Sequence, residues 1–344
     1  MDGGAGGEGG VGLTAARLVR NSADSDSGEG SYPSCVRALL VVNPQATSTT
    51  AAGRDVLAHA LASAVKLDVL QTQYRGHAAE ATASAVRAGV ELVIAHGGDG
   101  TINEVVNGIL EAAPPASTPE PPLLAVLPGG SANVFARALG LPRDPLEAAA
   151  EVLHALDERR YRTVGLGRAD DRWFTFNAGL GWDADVVASV ERARARGHEA
   201  SPVRYARTAL RHYLAQRRHP TDLTVALPGE EPVSGLRLAV VCNTDPWTYL
   251  GSRPVRTNPG CNLTDGLALF GLLSLGLGTV LPTMREMLRK EGDPSGRSVV
   301  RRDELPLIRV SSPVPVALQV DGDYLGERSD VEFTAVRSAL RVVV

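Results

Sequence analysis

Four apolar residues, Leu92-Val93-Ile94-Ala95, run straight into His96-Gly97-Gly98-Asp99-Gly100-Thr101, and no other segment narrows the possible folds as much. The run reads as a buried strand. Helical spacing begins directly after the glycines, with Ile102, Val105, Val106 and Ile109. A strand, a bare-backbone turn and a helix N-terminus together form an anion site. Glycines let the main chain approach phosphate oxygens, and the free N–H groups of the first helical turn point at them. Asp99 stands where it can face a metal ion on those phosphates. Without it the loop would be a generic tight turn.

The same logic recurs once. Leu123–Leu127 is a second apolar strand, followed by Pro128-Gly129-Gly130 and a helix expected from about Ser131 to Leu139. Alone, Gly129-Gly130-Ser131 would be a helix cap. Beside the first loop it reads as a second phosphate contact, because strands of a parallel sheet present their loops at one carboxyl edge. Neither loop is followed by Gly-Lys-Ser/Thr, and neither fits Gly-x-Gly-x-x-Gly with a ribose-binding acid, so a P-loop enzyme and a Rossmann dehydrogenase are disfavoured. A helix N-terminus supplies roughly half an elementary charge, worth about 0.3–1 kcal/mol when exposed. That is too little for a triphosphate, so a divalent cation must carry most of the charge balance.

The surrounding pattern predicts an α/β fold with two domains. Ala38–Val42 and Leu67–Thr72 read as strands, Ala51–Val65 and His77–Ala88 as helices, so residues 35–160 form a parallel sheet covered on both faces. From 161 to 328 the texture changes to many short strands: Arg162–Gly167, Trp173–Asn177, Leu223–Leu227, Leu236–Cys242, Leu267–Leu273, Leu307–Val310 and Val314–Val320. These predict a β-rich, antiparallel sandwich or barrel. Residues 329–344 end in a strand expected to return to the first domain. Residues 1–34, rich in Gly, Ser and Asp, are expected to be disordered and lack the apolar core of a secretory signal. Gly266–Met284 carries no charge, but glycines and Pro282 interrupt it, so it reads as strand, turn and helix start rather than a membrane span.

Composition excludes some functions. With Lys+Arg 35 against Asp+Glu 39, net −4 over 344 residues, there is no basic field for nucleic acid. The three cysteines, Cys35, Cys242 and Cys261, have no metal-binding spacing and suit a reducing cytoplasm. The histidines are scattered and read as surface or core residues.

The segments 96–108 and 128–137 (Pro-Gly-Gly-Ser-Ala-Asn-Val-Phe-Ala-Arg) together resemble the diacylglycerol kinase catalytic domain, shared by soluble bacterial lipid kinases, sphingosine kinases and ceramide kinases. Asn43-Pro44, Phe176–Ala184, Asn262–Leu267 and Val320-Asp321-Gly322-Asp323 extend the likeness to the C-terminal half. Gly-Gly-Asp-Gly-Thr alone is less specific, since NAD kinases carry it. The resemblance implies ATP bound between the two domains, against Asn43, Thr72, Gly97, Gly98, Asp99, Gly100, Thr101, Asn103, Glu104, Gly129, Gly130 and Ser131. It also implies a structural Mg²⁺ held by the Asp265 carboxylate and the main-chain carbonyls of Asn262 and Leu267. Oxygen-only ligation of that kind suits Mg²⁺, whereas the residues by themselves make only an Asp-Gly turn. For Glu104 and Asn103 a purely structural role in the helix is the competing reading.

Alternating Val314, Val316, Leu318 and Val320 lead to a hairpin signal at Asp321-Gly322-Asp323. The family usually has Glu at the third position, as general base toward the lipid hydroxyl. Here Asp323, one methylene shorter, takes that place, with Asp99 as the rival. Val134 stands where an aspartate is common, and Ser131 where Thr is. The resemblance implies ATP- and Mg²⁺-dependent phosphorylation of a lipid hydroxyl, foremost that of diacylglycerol, by an enzyme that meets the inner membrane face transiently as a peripheral protein. A sphingosine-like or phosphatidylglycerol-like kinase, an NAD kinase and a catalytically weak lipid-binding regulator are the alternatives. A homodimer stays open. The basic stretch Arg204–Arg218 is expected to be a helix with a solvated face or, failing that, a contact for anionic head groups.

Overall fold

The computed structural model describes residues 36–118, 120–195 and 221–344. The expected disordered tail and the basic stretch 204–218 lie outside the described residues.

Four parallel strands open the chain: β1 (Arg37–Val42), β2 (Lys66–Gln71), β3 (Leu92–Gly97) and β4 (Leu123–Pro128), in the order β2-β1-β3-β4. Their side chains alternate between two apolar layers. Leu39, Val41, Val93 and Val126 pack toward α2 (His77–Arg87) and α3 (Asp99–Ala112). Leu40, Val42, Ile94 and Leu127 pack toward α1 (Ala51–Ala62) and α5 (Pro145–Asp157), with the short α4 (Val134–Ala138) lying between the sheet and α5 in sequence. A strand buried on both faces must be apolar throughout, and each such Leu, Ile or Val contributes about 1.5–3 kcal/mol. The α5 helix escaped the periodicity reading, although its start is marked: Asp144 caps the Leu146 and Glu147 N–H groups, and Pro145 occupies the first turn.

The remaining strands are β5 (Tyr161–Ala169), β6 (Arg172–Phe174), β7 (Asn177–Gly181), β8 (Leu223–Ala226), β9 (Val233–Leu236), β10 (Leu238–Cys242), β11 (Thr248–Leu250), β12 (Arg253–Val255), β13 (Leu267–Leu272), β14 (Val299–Leu305), β15 (Leu307–Val320) and β16 (Asp323–Val343), with helices α6 (Trp182–Ala195) and α7 (Leu277–Met287). Apart from the β11–β12 hairpin, which forms a two-stranded sheet of its own, and the parallel contact of β16 with β4, they are antiparallel, as expected, but they continue the first sheet rather than standing apart from it. The order runs β14-β13-β10-β7-β15-β16-β4-β3-β1-β2 through one 14-stranded sheet. β16 is the joint: it pairs with β15 along its first half, with β5 along its second half from Phe333 to Val343, and with β4 at Val342↔Leu124.

Several boundaries differ from those the pattern suggests. The strand expected at Trp173–Asn177 breaks at Thr175 and Phe176, where the N–H groups turn to a carboxylate instead of a neighbouring strand. The strand expected at Leu236–Cys242 is interrupted at Arg237, whose N–H bonds to the Leu272 carbonyl. Leu307–Val310 and Val314–Val320 are one strand with an irregularity between Ser311 and Val316. The second loop's helix starts at Val134, not Ser131, with Asn133 in a left-handed conformation (φ 49°) at its cap position. The uncharged stretch 266–284 is β13, a turn and α7, and no described helix is long and apolar enough to cross a membrane.

Candidate functional site

The four parallel strands end together, and Asn43, Thr72, Gly97 and Gly129 lie at that carboxyl edge. The two glycine loops touch. Gly129 N–H donates to the Gly97 carbonyl at 2.7 Å. A Cβ built on Gly129 would stand 2.9 Å from the Gly97 Cα, and one on Gly130 would stand 2.7 Å from the Gly98 Cα. Glycine is therefore required here for close approach of backbone to backbone. Asn133 clasps the second loop, accepting from Gly130 N–H (2.8 Å) and donating to the Gly130 carbonyl (2.7 Å).

The loop after β1 lies across both turns. Asn43 Nδ2 donates to Thr101 Oγ1 at 3.0 Å, and Ser48 donates from both N–H and Oγ to the Gly129 carbonyl. His96 is buried beneath, with one ring nitrogen 3.2 Å from Thr49 Oγ1 and the other 3.2 Å from the Leu127 carbonyl. Thr72, half-buried, is fixed by its N–H to the Val42 carbonyl. A cavity of about 210 Å³ opens beside these strand ends, lined by Val42, Pro44, Thr49, Thr50, Ala51, Arg54 and Gln71. Ser131 is exposed on the rim of the second loop.

Asp99 points across to the second loop's helix, where its carboxylate accepts from Phe135 N–H at 3.3 Å. Burial pushes its carboxyl up to about 7; the charge of Asp321 adds to the rise, and the N–H groups of Phe135, Val134 and Asn133 oppose it. Two other residues of the first motif do not face the loops. Asn103 is fully buried, donating to the Trp173 carbonyl (2.9 Å) and Asp321 Oδ2 (2.8 Å) and accepting from Arg172 Nη2 (2.5 Å). Glu104 caps α2, accepting from the N–H groups of Gly76 (2.9 Å) and Ala78 (3.2 Å); Gly76 offers α2 no side-chain cap of its own.

Opposite the glycine loops stands the turn between β15 and β16. Asp321 (φ 48°) and Gly322 (φ 81°) form a two-residue hairpin turn with left-handed backbone at both positions. Asp323 hangs from it over the start of α3: a Cβ on Gly100 would meet its Oδ1 at 3.9 Å. Arg75 Nη2 lies 3.3 Å from the same oxygen. The turn is locked by a chain of amides. Gly322 N–H donates to Gln319 Oε1, Gln319 Nε2 to Asn177 Oδ1, and Asn177 Nδ2 to the Trp247 carbonyl.

Residues 37–168 match the diacylglycerol kinase catalytic domain family. Over that stretch the chain is similar to a diacylglycerol kinase catalytic domain. Its relatives include a "Probable lipid kinase YegS-like" of Chromohalobacter salexigens, 42% identical over 30% of this chain and 31% of that protein, and a "Diacylglycerol kinase" of Bacillus subtilis, 35% identical over 42% and 46%. The chain thus spans about a third to a half of the length of these two. A "Probable lipid kinase YegS-like" of Stenotrophomonas maltophilia is 27% identical over 78% of this chain and 84% of its own. The crystal structure of a diacylglycerol kinase from Bacillus anthracis str. Sterne shares the fold, with a TM-score of 0.67 at 20% identity over 91% of this chain and 98% of that one.

Two residues at the site went unnoticed in the sequence. Arg75 gave no signal in a polar loop. Asp321 looked like an ordinary turn former, yet its carboxylate is buried and accepts five hydrogen bonds: from Thr175 N–H (2.7 Å), Thr175 Oγ1 (2.8 Å), Phe176 N–H (3.0 Å), Asn177 N–H (3.1 Å) and Asn103 Nδ2 (2.8 Å). Burial pushes its carboxyl up, and the donors from residues 175–177 pull it back. The donors come from α3 on one side and the start of β7 on the other, so one carboxylate ties the glycine-loop helix to the turn that carries Asp323.

The Asp265 turn is exposed. Asn262 Nδ2 (2.5 Å) and Thr264 Oγ1 (2.8 Å) donate to the Asp265 carboxylate and hold it below the usual carboxylate range. Leu267 follows, buried, as the first residue of β13. Among the described residues no three His, Cys, Asp or Glu side chains gather into a metal-binding group. The donors here are all oxygen with a single carboxylate, which fits an ion that keeps most of its waters, as Mg²⁺ does.

Proposed function

We propose that the chain is an ATP- and Mg²⁺-dependent lipid kinase that transfers the γ-phosphoryl group to the hydroxyl of diacylglycerol, giving phosphatidic acid, or to that of a closely related lipid. One observation carries this reading: two glycine loops in backbone contact at the carboxyl edge, with a carboxylate suspended over the first helical turn from the opposite side. Phosphoryl transfer asks a protein mainly for positioning and charge compensation. The N–H groups of the first turn of α3, at Asp99–Thr101, face the polyphosphate, and the Gly129–Gly130 turn, whose own N–H groups are bonded to Gly97 and Asn133, packs against them. Asp323 takes the proton of the lipid hydroxyl as its oxygen attacks the γ-phosphorus and ADP departs. Arg75, beside Asp323, places a cation where negative charge gathers. Mg²⁺ bound with the nucleotide supplies the remaining charge balance, for which Asp99 is the carboxylate nearest the loops. Asn103 and Glu104 act one step back: they hold the Asp321 hub and the α2 start in place.

The test is transfer of label from [γ-³²P]ATP to a mixed lipid extract by the purified chain. Labelled phosphatidic acid supports the reading. Label in NADP when NAD is supplied would assign the chain to nicotinamide chemistry. Lipid binding without turnover would mean that the shorter Asp323 fails to reach the hydroxyl.

A further inference from the structure

The α7 helix is amphipathic in the wrong sense for a helix at the edge of a soluble protein. Its inner face is buried through Thr283 and Met287, and Met287 packs on the sheet face formed by Val240, Cys242 and Phe270. Its outer face carries Leu277, Leu281 and Met284, exposed by 56%, 63% and 45%. The spacing i, i+4, i+7 makes them one continuous stripe. These are three of the nine large apolar side chains that are exposed among the described residues. A fourth, Leu250, is 62% exposed at the tip of the β11–β12 hairpin. It pairs across that hairpin with Arg253, whose Nε donates to the Leu288 carbonyl at the end of α7 (2.9 Å).

Cations border the stripe. Arg285 stands next to it on the helix surface, and Arg289 and Lys290 follow at the C-terminal end, all exposed; Glu286, the one acid on the helix, is paired with Arg289. Glu291 and Asp293 follow, the latter paired with Arg301, so with Arg253 of the hairpin the edge of the stripe carries four cations, Arg253, Arg285, Arg289 and Lys290, against Glu286 and Glu291, in a chain of net charge −4. The hairpin is tied to the glycine-loop side as well: Arg137 of α4 reaches the carbonyls of Gly251 and Ser252 and stacks on the Tyr249 ring, 3.1 Å from its centroid.

We infer that the outer face of α7, with the hairpin tip beside it, is the surface by which this protein lies on an anionic lipid bilayer. The inference rests on the lipid-kinase reading above, which requires access to a membrane-dissolved substrate. The stripe covers on the order of a few hundred Å², well short of the roughly 800 Å² per partner of a stable protein interface. A narrow apolar stripe edged by arginines whose stems follow it into the headgroup layer is instead the form of an interfacial helix. The link through Arg137 places this face on the same rigid unit as the second glycine loop.

Co-sedimentation of the full chain with phosphatidylcholine vesicles, with and without phosphatidylglycerol, tests it beside a Leu277→Ser/Leu281→Ser variant. The wild type is expected to sediment with the anionic vesicles and to be released by salt. The variant is expected to lose at least about tenfold in vesicle affinity while transferring phosphate to detergent-dispersed short-chain diacylglycerol as fast as the wild type. Equal sedimentation of the two proteins overturns the inference. So does a wild type that binds no vesicles but has twice the variant's mass in sedimentation equilibrium, which would give the face to a second copy. Stripe-dependent binding without phosphate transfer to any lipid would leave the docking surface standing and remove the kinase reading. Lipid phosphorylation in vesicles at equal rates for both proteins would do the reverse.

Discussion

The two halves of the site are built by opposite means. The glycine-loop half is backbone against backbone: Gly97 and Gly98 meet Gly129 and Gly130 with no side chain between them. The Asp323 half is a side-chain assembly, in which Asn103, Asn177 and the pair Gln319 and Asp321 come from three separate segments to hold one turn. The first half tolerates no added atom, and the second no lost acceptor. A surface that binds phosphate needs exposed N–H groups, which glycine provides. A base that must be aimed needs a rigid support, and a fully satisfied buried polar network provides it.

The comparison breaks if each half fails in the other's manner. The largest expected effect is at the reacting atom. Asp323→Asn should lower turnover by about 10²–10⁴-fold, with ATP affinity and melting temperature unchanged because the side chain, 22% exposed, lies outside the amide chain. A normal rate would move the base to Asp99. Next is Gly130→Ala. The new Cβ, 2.7 Å from the Gly98 Cα, must push the loops apart, and a displacement near 1 Å costs on the order of 100-fold in transfer. Here ATP affinity should fall too, as nucleotide titration would show. Retained affinity would mean that the loops do not grip the phosphates as a pair.

The third effect is on stability more than on chemistry. In Asp321→Asn, whichever oxygen becomes NH₂ faces at least two N–H or O–H donors, leaving buried donors unpaired at about 1–3 kcal/mol in all. Urea unfolding should show that loss, and turnover should fall through kcat rather than the KM for ATP, since the glycine loops are untouched. A shift in KM alone would put the hub on the nucleotide side.

The same contrast explains what the sequence disclosed. The parallel strands and both glycine turns were legible because each depends on neighbours within about a dozen residues: an apolar run, a glycine pair, then helical spacing. The turn at 321–323 was legible as a turn for the same reason. Its support was not, because five donors to Asp321 lie 144 to 218 positions away in the chain, and no local pattern records them. That distance also explains why the strand expected at Trp173–Asn177 is broken: its central N–H groups serve a carboxylate that sequence periodicity cannot see. The roles of Asn103 and Glu104 were blurred likewise, since a motif shows that a polar residue is needed but not which way it faces. The merging of the two sheets through β16 follows from the pairing of a strand end with a partner more than 200 residues earlier.

The last prediction, read in the pH dependence of stability and not in a rate, sharpens the comparison at a residue that touches both halves. Asp99 starts α3 in the first loop, caps α4 of the second and feels the charge of Asp321. Its carboxyl titrates near 7 in the folded chain and near 3.9 when unfolded. The folded state therefore holds a proton that the unfolded state has released, and stability must fall as pH rises from about 4 to about 7 and then level off. In Asp99→Asn that slope should vanish, so the variant should gain on the wild type in stability as pH rises from about 4 to about 7, by up to about 4 kcal/mol, while phosphate transfer is lost for want of the carboxylate. Chemical denaturation of both proteins at pH 5 and pH 8 measures this. Parallel losses in the two proteins would show that the carboxyl is not desolvated by the packing of one loop on the other.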